Sequence, residues 1–132
     1  MIKFAIVLML ATVGAGQAMA QTVTPVAITP IVITLADYAF TPGTLDLKAG
    51  ATYQMHFVNS GSKDHNFSAP EFFTAAQVAP DDQAKVTKGI VALGSGQSVD
   101  ITVTPGQAGA FAVECTHFMH KMMGMHGIIV VQ

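Results

Sequence analysis

From Ile31 to its end the sequence breaks into short runs rich in Val, Ile, Thr, Phe and Tyr, each closed by a turn signal, and no other feature limits the fold so tightly. Residues 31–35, 44–48, 52–59, 99–104, 110–115 and 127–131 have strand length and strand composition. Pro42-Gly43, Ala49-Gly50, Ser60-Gly61, Gly94-Ser95-Gly96 and Pro105-Gly106 supply turns between them. Several runs alternate with a period of two: Tyr53, Met55 and Phe57 share a face, as do Val99, Ile101 and Val103, and Phe111, Val113 and Cys115. Such alternation buries one face of each strand and wets the other. The expected architecture is therefore all-β, two antiparallel sheets closing over a common core as a β-sandwich. Residues 70–83 break the cadence. Residues 71–77 suit a short helix or a large connecting loop, and irregular structure is expected there.

The first twenty residues are of another kind. Lys3 gives a positive charge, residues 4–13 an apolar run, and Ala18-Met19-Ala20 a small-residue cleavage site, which together read as a secretory signal peptide over residues 1–20. The apolar run is about half the length of a bilayer crossing, and Gly14 and Gly16 interrupt the residues after it, so a membrane anchor fits poorly. Residues 21–132 then form one domain with a single core and no membrane span. Without Lys3 that domain has five lysines, no arginine and eight acids, a formal charge of −3 with histidines neutral. A weakly acidic surface argues against nucleic acid or anionic lipid as partner. The expected destination is the periplasm, or the cell exterior where there is no periplasm.

An exported chain with one cysteine has no internal disulfide to make, and a free thiol in an oxidising compartment is a liability. The neighbours of Cys115 give it a purpose. Cys115-Thr116-His117-Phe118-Met119-His120-Lys121-Met122-Met123-Gly124-Met125-His126-Gly127 packs a thiol, three imidazoles and four thioethers into thirteen residues. Soft sulfur ligands favour copper(I), imidazole accepts copper in both oxidation states, and two His with one Cys and a weak axial Met is the blue copper donor set. Zinc is the competitor, but closed zinc sites use four Cys or His ligands, and a thioether is a poor substitute. A second imidazole must come from elsewhere in the chain. His65, where a turn meets the next extended run, suits this better than His56, which sits mid-strand between Met55 and Phe57.

Phe40-Thr41-Pro42, Leu47-Lys48-Ala49-Gly50, Val58-Asn59, His65-Asn66-Phe67 and residues 115–131 resemble the plastocyanin/azurin family of cupredoxins. With His120 five and Met125 ten residues beyond Cys115, the spacing is similar to that of longer-loop members such as rusticyanin and auracyanin. The resemblance implies a Greek-key β-sandwich, one copper ion per chain, and a monomer that passes single electrons between redox protein partners. It implies His65, Cys115 and His120 as strong in-plane ligands and Met125 as the long axial one. Asn66 matches a position that ties the two ligand segments together, with Thr116 in the same network, and His120 would lie at the surface within an apolar patch of Phe118, Met119, Met122 and Met123. Where many relatives have Pro-Gly before the second His, this chain has Phe118-Met119, so a less rigid loop is expected.

Three alternatives stay open at this level. Met122 or Met123 competes with Met125 for the axial position, and His117 with His126 offers a second metal site. The Met/His excess also suits a periplasmic copper carrier or resistance protein. An enzyme is disfavoured, since four protein ligands leave no open position for substrate and no Ser/His/Asp motif is present. Asp81-Asp82 reads as a solvated turn.

Overall fold

The alternating runs do become strands with their apolar members inward. Along Thr52–Asn59, Tyr53, Met55, Phe57 and Asn59 are buried while Gln54 faces water. The computed structural model describes residues 14–132, so most of the expected leader, residues 1–13, lies outside the described residues. Residues 14–27 are exposed and carry no regular structure. In chain order the elements are β1 (Ile28–Ala36), β2 (Ala39–Thr41), β3 (Thr44–Leu47), β4 (Thr52–Asn59), β5 (His65–Ser68), α1 (Pro70–Ala75), β6 (Ala76–Val78), a 3-10 turn (Pro80–Lys85), β7 (Ile90–Leu93), β8 (Ser98–Pro105), β9 (Gly109–Glu114) and β10 (His126–Val131).

They form two five-stranded sheets, one ordered β2-β1-β4-β8-β6 and the other β3-β10-β9-β5-β7. The all-β sandwich is as expected, but the sheets are mixed and not wholly antiparallel: β1 runs parallel to β4 and β10 parallel to β3. Parallel neighbours require a crossover. Here β2 and β3 carry the chain from one sheet to the other before β4 returns beside β1, a step that hairpin connections alone would not make. Among the described residues no helix is long and apolar enough to cross a membrane.

The strands that periodicity leaves unseen are the short ones. β2, β5, β6 and β7 are three or four residues long, too brief to display a period, and β5 is buried at every position, so it has no alternation to display. Residues 70–83 are more regular than expected, because Pro70 at the first turn of α1 has a preset φ and Phe72 and Phe73 bury themselves in the core. The Asp81-Asp82 expectation needs a correction for its second residue. Asp81 is exposed, but Asp82 accepts from Lys85 and from the Thr102 backbone N–H, tying the 3-10 turn to β8.

Ile33, Met55, Phe57, Ile101 and Ile129 have no exposed surface, and each such side chain contributes about 1.5–3 kcal/mol on leaving water. Phe67 is the core residue that bears most directly on the end of the sandwich. Its ring meets Phe57 at 5.0 Å, Phe40 at 5.4 Å and Phe73 at 6.5 Å, all edge-on, an arrangement aromatic quadrupoles prefer. Two residues earlier on the same short strand stands His65, so the aromatic cluster fixes the strand that carries it.

Candidate metal centre

One end of the sandwich gathers the start of β5, the end of β9, the β9–β10 loop and the β1–β2 turn. Cys115 follows β9, and its N–H donates to the Met125 carbonyl at 3.1 Å, pinching the loop shut at its base. Inside the loop the Met125 N–H donates to the His120 carbonyl at 3.0 Å and the His120 N–H to the His117 carbonyl at 3.1 Å. Gly124 turns the chain at φ 106°, a conformation that side-chain-bearing residues rarely adopt. The loop lacks Pro-Gly, and its successive turns are closed by backbone hydrogen bonds.

Three donor atoms meet here. His65 Nδ1 and His120 Nδ1 are 3.2 Å apart, Cys115 Sγ is 3.4 Å from His120 Nδ1, and Cys115 Sγ is 4.0 Å from His65 Nδ1. A first-row metal bonded at about 2.0 Å to nitrogen and about 2.3 Å to sulfur would hold trigonal donors about 3.5–3.7 Å apart, so the observed triangle fits one ion. Its chemistry, a thiol and two imidazoles, is that of a copper site. Among the described residues this is the one cluster of three or more His, Cys, Asp or Glu side chains suited to a metal. Met125 is fully buried and joined by backbone hydrogen bonds to both Cys115 and His120, whereas Met122 and Met123 are exposed.

Two polar residues beside the cluster engage each other. The Asn66 amide donates to the Thr116 hydroxyl at 2.7 Å and accepts from the Thr116 N–H at 2.9 Å, a two-way clasp between the segments that carry His65 and Cys115. The resemblance implied this link, and the geometry has it. Burial, the adjacent His65 and His117 rings and Lys63 hold the His120 pKa below the ordinary imidazole value, keeping the ring neutral with a lone pair to give. The Ser62 hydroxyl, the His65 ring and the Ser62 N–H together hold Asp37 far below the usual carboxylate range.

Asp37 and Tyr38 are the site residues that sequence reasoning missed. Asp37 Oδ1 lies 2.8 Å from His65 Nε2, and the Tyr38 ring stands edge-on to His120 at 5.1 Å and to His65 at 6.3 Å. Asp-Tyr between two apolar runs reads only as a turn, and its one unusual property, Tyr38 at φ 71°, is invisible in sequence. The remaining histidines stay outside the cluster. His56 pairs with Asp100 at 2.7 Å on the outer face of its sheet, and His117 and His126 are exposed. His117 comes within 5.5 Å of His120, ring to ring.

A family model described as the cupredoxin-like domain matches residues 3–131. Among solved structures, a dithionite-reduced auracyanin from the photosynthetic bacterium Roseiflexus castenholzii superposes with a TM-score of 0.58 at 23% identity, over 79% of this chain and 97% of its own. Auracyanin A, a blue copper protein from the green thermophilic photosynthetic bacterium Chloroflexus aurantiacus, gives 0.54 at 20% identity, over 78% and 99%. A multicopper oxidase gives 0.58 at 17% identity, covering 80% of this chain but 42% of that one. At such identities the likeness is one of fold. No curated protein matches the chain in sequence.

Proposed function

Because the chain belongs to the cupredoxin-like domain family, we propose that it is an exported, monomeric electron-transfer protein with one type 1 copper ion held by His65, Cys115, His120 and Met125. The observation that carries this reading is the triangle of Cys115 Sγ and the two Nδ1 atoms, with sides of 3.2, 3.4 and 4.0 Å. The one-electron chemistry, an alternation between Cu(I) and Cu(II), belongs to the bound copper. The chain's own residues set its conditions. His65 and His120 present Nδ1, Cys115 presents sulfur from a position 1% exposed, and the Asn66–Thr116 clasp keeps the two ligand segments at a fixed spacing. Ligands that need not move when the charge changes make exchange fast. Four filled positions leave none for substrate, so the reading is of a carrier and not an enzyme. The leader over residues 1–20 sends it to the periplasm.

His120 is the half-exposed member of the set, and around it Phe118 is 90% exposed, Met119 46%, Met122 82% and Met123 54%. An apolar rim of this kind excludes water from a brief encounter and lets the pair separate quickly, as redox partners must. Electron self-exchange between oxidised and reduced copies reports on the rim without a named partner. Replacing Met122 and Met123 together with Lys sets like charges face to face and is expected to slow self-exchange about 10-fold at low salt. NMR line broadening in mixed oxidation states measures it, and an unchanged rate would place the electron's exit elsewhere.

The exposed Met119, Met122 and Met123 beside exposed His117 favour a second reading, a periplasmic copper carrier that passes on the ion itself. Copper titration with voltammetry separates the two. One tightly held ion with a reversible one-electron wave supports electron transfer, and two labile ions support the carrier.

A further inference from the structure

Behind the His65 ring, on the side away from Cys115 and His120, three residues build a seat for one carboxylate. Asp37 Oδ1 is 2.8 Å from His65 Nε2. The Ser62 N–H lies 3.1 Å from each Asp37 oxygen, and the Ser62 hydroxyl donates to Oδ2 at 2.7 Å. Gly61 leaves the space: a Cβ there would stand 2.4 Å from Asp37 Oδ1, 2.9 Å from His65 Nε2 and 3.1 Å from the Asp37 backbone nitrogen. Ser60-Gly61 reads in the sequence as an ordinary turn. In the fold, Gly61 is needed because nothing larger than hydrogen fits between the carboxylate and the ring.

The chemistry of the pair is one-directional. An ionised carboxylate only accepts, so His65 Nε2 bears a proton and donates, and in the neutral ring Nδ1 is the lone pair that faces Cys115 and His120. The His65 side chain has no exposed surface, while that of Asp37 is 35% exposed, so the charge stays hydrated on its outer side and is not stranded in the core. A neutral acceptor would fix the same tautomer. A carboxylate also pushes electron density through the ring toward Nδ1, which strengthens that donor for the more highly charged state of a metal.

We propose that Asp37, seated by Ser62 and given room by Gly61, is a positioning residue of the metal centre that locks His65 with Nδ1 toward the ion and lowers the reduction potential by favouring copper(II). This deepens the proposed copper function and rests on it for the potential, though not for the tautomer.

Two measurements test it. In the metal-free protein, long-range proton–nitrogen NMR is expected to find His65 as a single tautomer with its proton on Nε2, and Asp37→Ala to lose that uniqueness. In the copper protein, Asp37→Asn keeps an acceptor but removes the charge. It is expected to weaken copper(II) relative to copper(I) about 10-fold, the lower end of what loss of an outer partner costs, and so to raise the potential by about 59 mV. Gly61→Ala, which forces the carboxylate off the ring and leaves its charge in the protein, is expected to move the potential the same way. Wild-type potentials in both Asp37→Asn and Gly61→Ala, or an unchanged His65 tautomer in Asp37→Ala, would overturn the proposal. Failure of the wild type to take up copper would instead sink the copper reading and the claim about potential, and the metal-free tautomer would then decide the positioning role alone.

Discussion

Cys115→Ser abolishes the intense visible absorption that one equivalent of copper(II) is expected to give the wild-type protein. The band is a charge transfer from thiolate sulfur to copper, and a hydroxyl has no comparable orbital to offer. Affinity falls with it. Removing a partner one shell out from a metal typically costs about 10- to 100-fold, and removal of a direct soft ligand is expected to exceed that for copper(I). The fold should survive the change: Cys115 is 1% exposed, and a serine hydroxyl in its place has His120 Nδ1 within reach, where the sulfur now lies at 3.4 Å. The thermal midpoint supplies a second readout. Copper that binds only the folded state raises the wild-type midpoint, and Cys115→Ser should be nearly insensitive to added copper. His56→Ala, on the outer face beside Asp100, is the control and should keep the full band. A variant at position 115 that stays coloured, or a wild type that never colours, would remove the thiolate from the site.

The reason a candidate centre stands out in the sequence is that three of its proposed ligands lie on one loop and the thiol is the chain's only one. A lone cysteine in a chain whose first residues read as a leader asks for a purpose, and the imidazole five residues away offers one. His65 was within reach because a histidine at the junction of turn and strand points along the strand axis to the end of the sandwich, while His56, mid-strand, points sideways. What sequence cannot supply is contact between turns that are distant in the chain. Asp37 and Ser62 are separated by 25 residues and look like ordinary turn residues, yet they form one hydrogen-bonded unit. Their meeting depends on β1 and β4 lying side by side and ending together, Leu35 opposite Asn59.

The same limit applies to the sheets. The period of two in β4 and β8 tells which side chains face the core, because each side chain's environment is a local alternation. It says nothing of which strand is the neighbour or in which direction it runs, so parallel pairing of β1 with β4 had no local signal. The turns of the β9–β10 loop lack a sequence signal for a related reason. Pro-Gly is a visible source of stiffness, but backbone bonds from Met125 to His120 and from Cys115 to Met125 are made by groups every residue owns.

Asn59→Ala is expected to lower the stability of the metal-free domain by about 3 kcal/mol, summing three neutral hydrogen bonds at about 1 kcal/mol each. The side chain has no exposed surface. Its amide donates to the Lys63 carbonyl at 2.8 Å and the Leu93 carbonyl at 3.0 Å, and its oxygen accepts from the Gly61 N–H at 2.9 Å. One residue at the end of β4 thus joins its own sheet to β7 of the other and shapes the turn that holds Ser62 against Asp37. For a domain near this size the loss corresponds to a thermal midpoint lower by about 10–15 °C. Asn59→Asp is the sharper test. It has the same shape but turns a carboxylate oxygen toward two carbonyls, so it should cost at least as much as alanine, whereas Gln54→Ala on the exposed face of the same strand should stay within about 0.5 kcal/mol of wild type. Denaturant unfolding followed by circular dichroism measures all three. If Asn59→Ala unfolds with the wild-type midpoint, the turn at residues 60–63 holds itself, and the seat of Asp37 owes nothing to the strand behind it.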